Sequence, residues 1–94
     1  MHKIEIIIDR AHLSGLTDLF RAHDLRGYTV LDIREGTGAL QGLTPTLGPA
    51  GASEVLVFVV GDANHLAPLL SPLSALVRRC KGFALVLPVV AILT

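Results

Sequence analysis

The chain has 94 residues, which is the length of one domain. Apolar residues make up 51% and charged residues 17%, which excludes a disordered chain, and the zero net charge gives no reason to expect a nucleic acid or an anionic membrane as a partner. The single cysteine, Cys80, excludes an intrachain disulfide and a cysteine-based zinc site. The apolar runs are shorter than the roughly 20 residues of a membrane span, so we expect a soluble cytoplasmic protein.

The first two elements are predicted by their periodicity. In residues 2–9, Ile4, Ile6 and Ile8 alternate with more polar residues, which predicts a strand. Residues 12–24 have the spacing of an amphipathic helix. Its apolar positions are Leu13, Leu16 and Phe20.

A second strand, a loop and a third strand are predicted next. Gly27 is expected to close the helix, and residues 28–34 are rich in strand-forming residue types. Residues 36–53 hold five of the nine glycines and two of the five prolines, which predicts a loop. Residues 55–60 are a continuous apolar run, and residues 54–60 are predicted to be the third strand.

The second half of the chain has the strongest helical pattern. Asp62 stands where a helix N-cap is expected, and Lys81 and Gly82 end the helix. Its apolar stripe is Leu66, Leu69, Leu70, Leu73, Leu76, Val77 and Cys80. Pro72 is expected to kink or divide this helix. Residues 83–93 are predicted to be the fourth strand, in which Pro88 marks a bulge or a sheet edge.

The order βαββαβ predicts a single α+β domain over residues 1–94, with a ferredoxin-like fold in which both helices cover one face of a four-stranded antiparallel sheet. The third and fourth strands are apolar on both faces, which is typical of strands buried on both sides. The second face is expected to be lined by Val55, Val57, Val59, Leu85, Leu87 and Val89, or by their alternates. Water would be an unfavourable neighbour for that face, so we predict symmetric self-association.

The residue types and their spacing in the sequence indicate neither a catalytic site nor a metal site. His12 and His23 are eleven residues apart on the first helix, too far to share an ion, while His2 and His65 belong to other elements, so solvated histidines are the better interpretation. No pattern indicates a nucleophile or a general base, so we expect no enzyme. The sequence GTGALQG, residues 36–42, is either a flexible hairpin connection or a loop whose backbone N–H groups hold an anion.

Several segments together resemble the PII family of trimeric signalling proteins. Residues 2–33 are similar to that family's opening strand, helix and second strand, with Gly27-Tyr28-Thr29-Val30 at its G-x-T-V position. Residues 57–66 and 82–92 resemble its third strand with the following turn and its closing strand. The resemblance implies a homotrimer that binds an adenine nucleotide in the clefts between subunits, with no obligatory cofactor.

The resemblance also implies the site residues. Thr29, beside Gly27, would contact the base, and Gly82 of the neighbouring subunit would close the other wall. Glycines would approach the phosphates closely at the start of the family's T-loop, here the short segment 37–53. The implied loop residues are Gly36, Gly38, Gln41 and Gly42, and the remaining basic candidates include Arg34 and Lys81.

Departures from the family pattern shape the expected function. Ala39 and Phe83 stand where an arginine and a lysine of the phosphate site are expected, which favours ADP or AMP over ATP. The short loop is similar to that of the PII-like proteins associated with inorganic carbon and carboxysomes, some of which bind bicarbonate. The chain is thus expected to be a regulatory sensor that docks on a transporter or an enzyme through residues 42–53, at a carboxysome or at the inner face of the membrane. The alternative is a trimeric scaffold with a degenerate nucleotide site.

Overall fold

The computed structural model describes residues 1–34 and 54–94. In chain order, its elements are β1 (His2–Asp9), a short 3₁₀ turn (Arg10–His12), α1 (Leu13–Ala22), β2 (Thr29–Asp32), β3 (Glu54–Gly61), α2 (Ala63–Cys80) and β4 (Phe83–Pro88). The strands form one antiparallel sheet in the order β2-β3-β1-β4. The predicted α+β ferredoxin-like order is confirmed.

One face of the sheet, here called the helix face, holds the core. Ile4, Ile6 and Ile8 have no exposed surface and pair across the strands with Val59, Val57 and Val55. The two helices cover these residues with their own apolar positions. The helix residues in the core are Leu16, Phe20, Leu66, Leu69, Leu73 and Leu76. The predicted alternation in β1 and the placement of both helices on one face are therefore confirmed.

The opposite face, here called the open face, lies away from both helices. Because side chains alternate along a strand, it consists of the residues that stand between the core positions. Its members are Lys3, Glu5, Ile7, Thr29, Leu31, Leu56, Phe58, Val60, Phe83, Leu85 and Leu87. The sequence left two alternate sets of residues open for this face: in β4 Leu85 and Leu87 lie there, and in β3 the alternates of Val55, Val57 and Val59 lie there. Val89 lies beyond β4.

Helix α2 runs unbroken through both of its prolines, so the prediction that Pro72 divides it was wrong. Pro72 cannot donate to the carbonyl of Pro68, and such a loss costs about 3 kcal/mol in a helix interior. Leu69, Leu73 and Leu76 on both sides of it are almost fully buried. Their packing on the sheet outweighs the local cost. At the start, Asp62 is the N-cap as predicted, and its side chain accepts a hydrogen bond from Asn64 N at 2.8 Å.

Both helices end in the same way, with a non-glycine residue in the left-handed region. Asp24 (φ 54°) follows α1 and Lys81 (φ 58°) follows α2. In each case the next amide, that of Leu25 or Gly82, donates to a carbonyl five residues back at 2.9 Å, which is the Schellman arrangement. The prediction that Gly27 closes the first helix was wrong.

Gly82 is a glycine for a different reason. A Cβ atom there would collide with the backbone oxygen of Ile7 and would lie 2.7 Å from Cγ2 of Ile8. The chain thus enters β4 in direct contact with β1. That strand ends at Pro88, earlier than the predicted residue 93, where it is paired with His2, the first residue of β1. The edge position predicted for Pro88 is confirmed, since β4 is an outer strand.

Candidate functional site

Thr29 lies on the open face of an edge strand. It is exposed, and its partner across the strands is Phe58 of β3. The same row continues through Glu5 of β1 to Leu85 of β4. The Thr29 hydroxyl is therefore next to an apolar surface rather than inside a pocket of its own chain.

Gly82 lies at the other edge of the sheet. Two strands, β3 and β1, separate β2 from β4. Three strand spacings of about 4.8 Å put the two edges about 14 Å apart. Thr29 and Gly82 therefore do not come together within one chain.

The base of the segment 35–53 is charged. Ile33 N donates to Glu54 O at 3.1 Å, which joins the end of β2 to the start of β3. Arg10 forms an ion pair with Asp32, and Arg34 is exposed at the same end of the sheet. This end is where the segment with the candidate phosphate-binding glycines leaves the sheet.

Two carboxylates oppose each other at this end. Asp9 and Glu54 are directly paired across β1 and β3. Partial burial, and secondarily the negative charge of Asp9, raise the pKa of Glu54 above its usual value. Asp9 also caps the 3₁₀ turn, since its side chain accepts a hydrogen bond from Ala11 N at 2.9 Å. A negative charge on Glu54 is thus disfavoured at the base of the segment.

The remaining predicted site residues are divided between several places. Gly27 is exposed between α1 and β2, with open space where a Cβ would be. Lys81 is exposed at the end of α2, next to Gly82. Phe83 is half-buried and lies on the open face. Four further predicted residues, Gly36, Gly38, Gln41 and Gly42, lie outside the described residues, as do Ala39 and the proposed docking segment 42–53.

A groove of about 330 Å³ lies at the end of α1. Its lining residues are Thr17, Arg21, Asp24, Leu25, Arg26 and Tyr28. The two arginines are engaged in ion pairs, Arg21 with Asp18 at 3.0 Å and Arg26 with Asp24 at 3.3 Å. Because neighbouring residues of a strand alternate, Tyr28 and Thr29 face opposite ways, and this groove is separate from the predicted nucleotide site.

No metal centre is found in the part of the chain that the structure describes, where no three His, Cys, Asp or Glu side chains are grouped to hold an ion. Within residues 1–34 and 54–94, no helix is long and apolar enough to cross a membrane. Cys80 is half-buried and packs against the core, as its place in the apolar stripe predicted.

One cluster was missed by the sequence reasoning. Lys3 and Glu5 lie on the open face of the inner strand β1, 3.7 Å apart between Nζ and Oε1, and Lys3 Nζ is 4.6 Å from the centre of the Phe58 ring. The signal was present in the sequence as two opposite charges two residues apart in a predicted strand. Only the register shows that their neighbours across the strands are apolar.

The sequence and the fold identify the family. The profile of the family "Nitrogen regulatory protein P-II" matches residues 1–93, and the chain therefore belongs to this family of signalling regulators. The comparison with curated proteins found no match.

Solved structures of one PII-like protein share the fold. CPII from Thiomonas intermedia K12 bound to ADP and bicarbonate is similar with a TM-score of 0.72 at 22% identity, over 90% of this chain and 81% of CPII. CPII bound to ADP, AMP and acetate gives a TM-score of 0.71 at 22% identity, over 92% and 82% of the two chains. The apo form of CPII gives 0.66 at 22% identity, over 90% and 84%. The PII-like resemblance read from the sequence is confirmed.

Proposed function

We propose that this protein is a non-enzymatic cytoplasmic sensor. It assembles as a trimer through the open face and binds an adenine nucleotide, ADP or AMP in preference to ATP, in the clefts between subunits. Bicarbonate is proposed as an accompanying ligand, because the similar structure of CPII is bound to ADP and bicarbonate. Membership of a family of signalling regulators supports a regulatory role over a catalytic one.

The observation that carries the proposal is the placement of Thr29 and Gly82 at opposite edges of one sheet. The two residues can form the walls of one cleft when Gly82 is supplied by a second subunit. Leu31, Val60 and Leu85 leave 40–48% of their surface exposed in the single chain, which supports closure of the open face by other copies.

The proposed preference for ADP or AMP over ATP is supported by the residues near the proposed nucleotide site. Phe83, in place of the expected lysine, is half-buried on the open face and offers no charge to a phosphate. Arg34 is exposed at the base of the segment 35–53, and Lys81 is exposed beside Gly82 at the end of α2; both are proposed to contact the phosphates. The ordering of residues 37–53 by the ligand would then control docking of 42–53 on a transporter or enzyme of inorganic-carbon uptake.

Calorimetric titration with ADP, AMP and ATP, each with and without bicarbonate, tests this function. We expect one saturable site per subunit and weaker binding of ATP. Thr29→Val should weaken ADP binding about 5- to 10-fold, the equivalent of one hydrogen bond. Thr17→Val is the matched control, because Thr17 lies in the groove by α1 and should leave binding unchanged.

A trimeric scaffold is the second candidate, and Phe83 is the observation that favours it. A degenerate site would give no heat with any of the nucleotides although the trimer is intact. That result would contradict the sensor proposal and leave the assembly standing.

A further inference from the structure

The open face contains an ion pair on the inner strand β1. Lys3 and Glu5 are separated by one residue of β1, so both side chains project from the same face, with Nζ and Oε1 3.7 Å apart. About a third of each side chain is exposed in the single chain, 36% and 32%. Lys3 Nζ also lies over the ring of Phe58, 4.6 Å from its centre.

Apolar residues flank this pair on both neighbouring strands. Lys3 is paired with Val60 of β3 and Leu87 of β4. Glu5 is paired with Phe58 and Leu85 in the same way. Since β1 is an inner strand of the sheet, both charges have apolar neighbours on each side, and the row of Lys3 is the last open-face row at that end of the sheet.

Charged residues are depleted in the centres of protein interfaces, because both charges must leave water when the surfaces meet. A close pair of opposite charges can offset that loss, whereas a single charge without its partner cannot. Polar groups in otherwise apolar interfaces are best known for fixing the register and the number of associating chains. The position of Lys3 and Glu5 fits that role.

We propose that the Lys3–Glu5 pair, held against Phe58, sets the number and orientation of the copies that meet on the open face. The proposal rests on the assembly in the proposed function and names the residues that make it specific. The occupant of the face is a second copy of this chain, because an apolar surface that carries one cation and one anion is complementary to itself. An uncharged apolar partner would bury both charges and offer neither of them a counterpart.

Four variants test the proposal by sedimentation equilibrium over a range of protein concentrations. Lys3→Met and Glu5→Leu each leave one charge without its partner, and each should raise the concentration of half-dissociation about 100-fold or more. The double variant K3M/E5L should assemble at least as tightly as the wild type, but as particles of more than one mass. The swap K3E/E5K should restore a single mass, because it retains both charges.

Arg21→Met is the matched control, since it breaks an ion pair of 3.0 Å that is exposed on α1. It should leave the particle mass unchanged, and circular dichroism checks that each chain is folded. If a single variant fails to fold, the double variant and the swap still decide the matter.

These experiments distinguish a failure of the proposed role of the ion pair from a failure of the proposed assembly. Single variants that dissociate like the wild type, or a double variant with one mass, would overturn the role of the pair and leave the proposed function intact. A wild type that stays monomeric at every concentration would overturn both.

Discussion

The two faces of the sheet are built from alternate residues of the same strands, yet they have different environments. Ile4 and Ile6 are completely buried under the helices, whereas Lys3 and Glu5 beside them leave about a third of their side chains exposed. The helix face is explained by this chain alone. The open face leaves Leu85 40% exposed in the single chain and is covered only in the proposed assembly. The first face therefore accounts for the fold, and the second is the place to look for function.

The largest expected effect is on the helix face. Phe20 is fully buried and its ring centre lies 5.4 Å from that of Tyr28. Phe20→Ala should lower the free energy of unfolding by about 3–5 kcal/mol, because it leaves a cavity in the core. Urea unfolding at several protein concentrations measures this loss, which should be similar at each of them. A loss that vanishes at high concentration would contradict the assignment of Phe20 to the core of the chain.

The next effect concerns the contact between β4 and β1. Gly82→Ala should destabilise the protein by about 1–3 kcal/mol, because the added methyl group collides with the backbone of Ile7. Gly27→Ala is the matched control, since open space surrounds that position, and it should change stability by about 0.5 kcal/mol or less. Thermal unfolding of the two variants compares them. Equal losses of stability in the two variants would show that β4 and β1 are not tightly packed at Gly82.

A third prediction concerns the open face directly. Leu85→Ser should lower the free energy of unfolding of the isolated chain by about 1 kcal/mol, less than a fully buried leucine would cost, because the residue is already 40% exposed there. The same change should lower the mass of the particle, since it removes apolar area from the proposed interface. Size-exclusion chromatography with light scattering measures that mass. An unchanged mass would place the subunit contact elsewhere.

The smallest effect is a pH dependence at the loop end of the sheet. The pKa of Glu54 is raised in the folded chain, mainly by burial, so the native state binds this proton more readily than the unfolded state. The contribution of Glu54 to stability therefore falls as the pH rises from the group's ordinary pKa of 4.5 through the raised pKa of the folded chain. Glu54→Gln should increase stability at pH 7 by about 0.5 kcal/mol or less and remove this dependence.

Urea unfolding of the wild type and of Glu54→Gln between pH 4 and pH 8 measures the difference. A variant that is less stable at pH 7 would show that the charged carboxylate is favourable at the base of the segment 35–53.

The sequence was sufficient for the order of the elements, because the two-residue alternation in residues 2–9 and the helical spacing of Leu66, Leu69 and Leu73 are strong local signals. It failed where tertiary packing overrides a local preference. Pro72 remains inside α2 since the buried leucines on both sides hold the helix together. The closure of the first helix was misplaced because Asp24, rather than Gly27, occupies the left-handed position, whereas α2 ends at Lys81 as predicted.

The candidate site was less predictable than the fold. The resemblance indicated Thr29 and Gly82 as site residues. The face and the edge of the sheet that each residue occupies follow from the strand order and the register. Strand order and register are not local properties of the sequence. The separation of the two residues across the sheet is what connects the proposed ligand site to assembly. The phosphate-binding part of the site lies on residues 36–42, outside the described residues, and stays a prediction.

Native mass spectrometry of the purified protein, with and without ADP, tests the central claim most directly. The account predicts a particle of three chains that takes up as many as three nucleotides, one for each cleft between subunits. A single-chain particle whose mass ADP does not change would contradict both the covered open face and the site built on it.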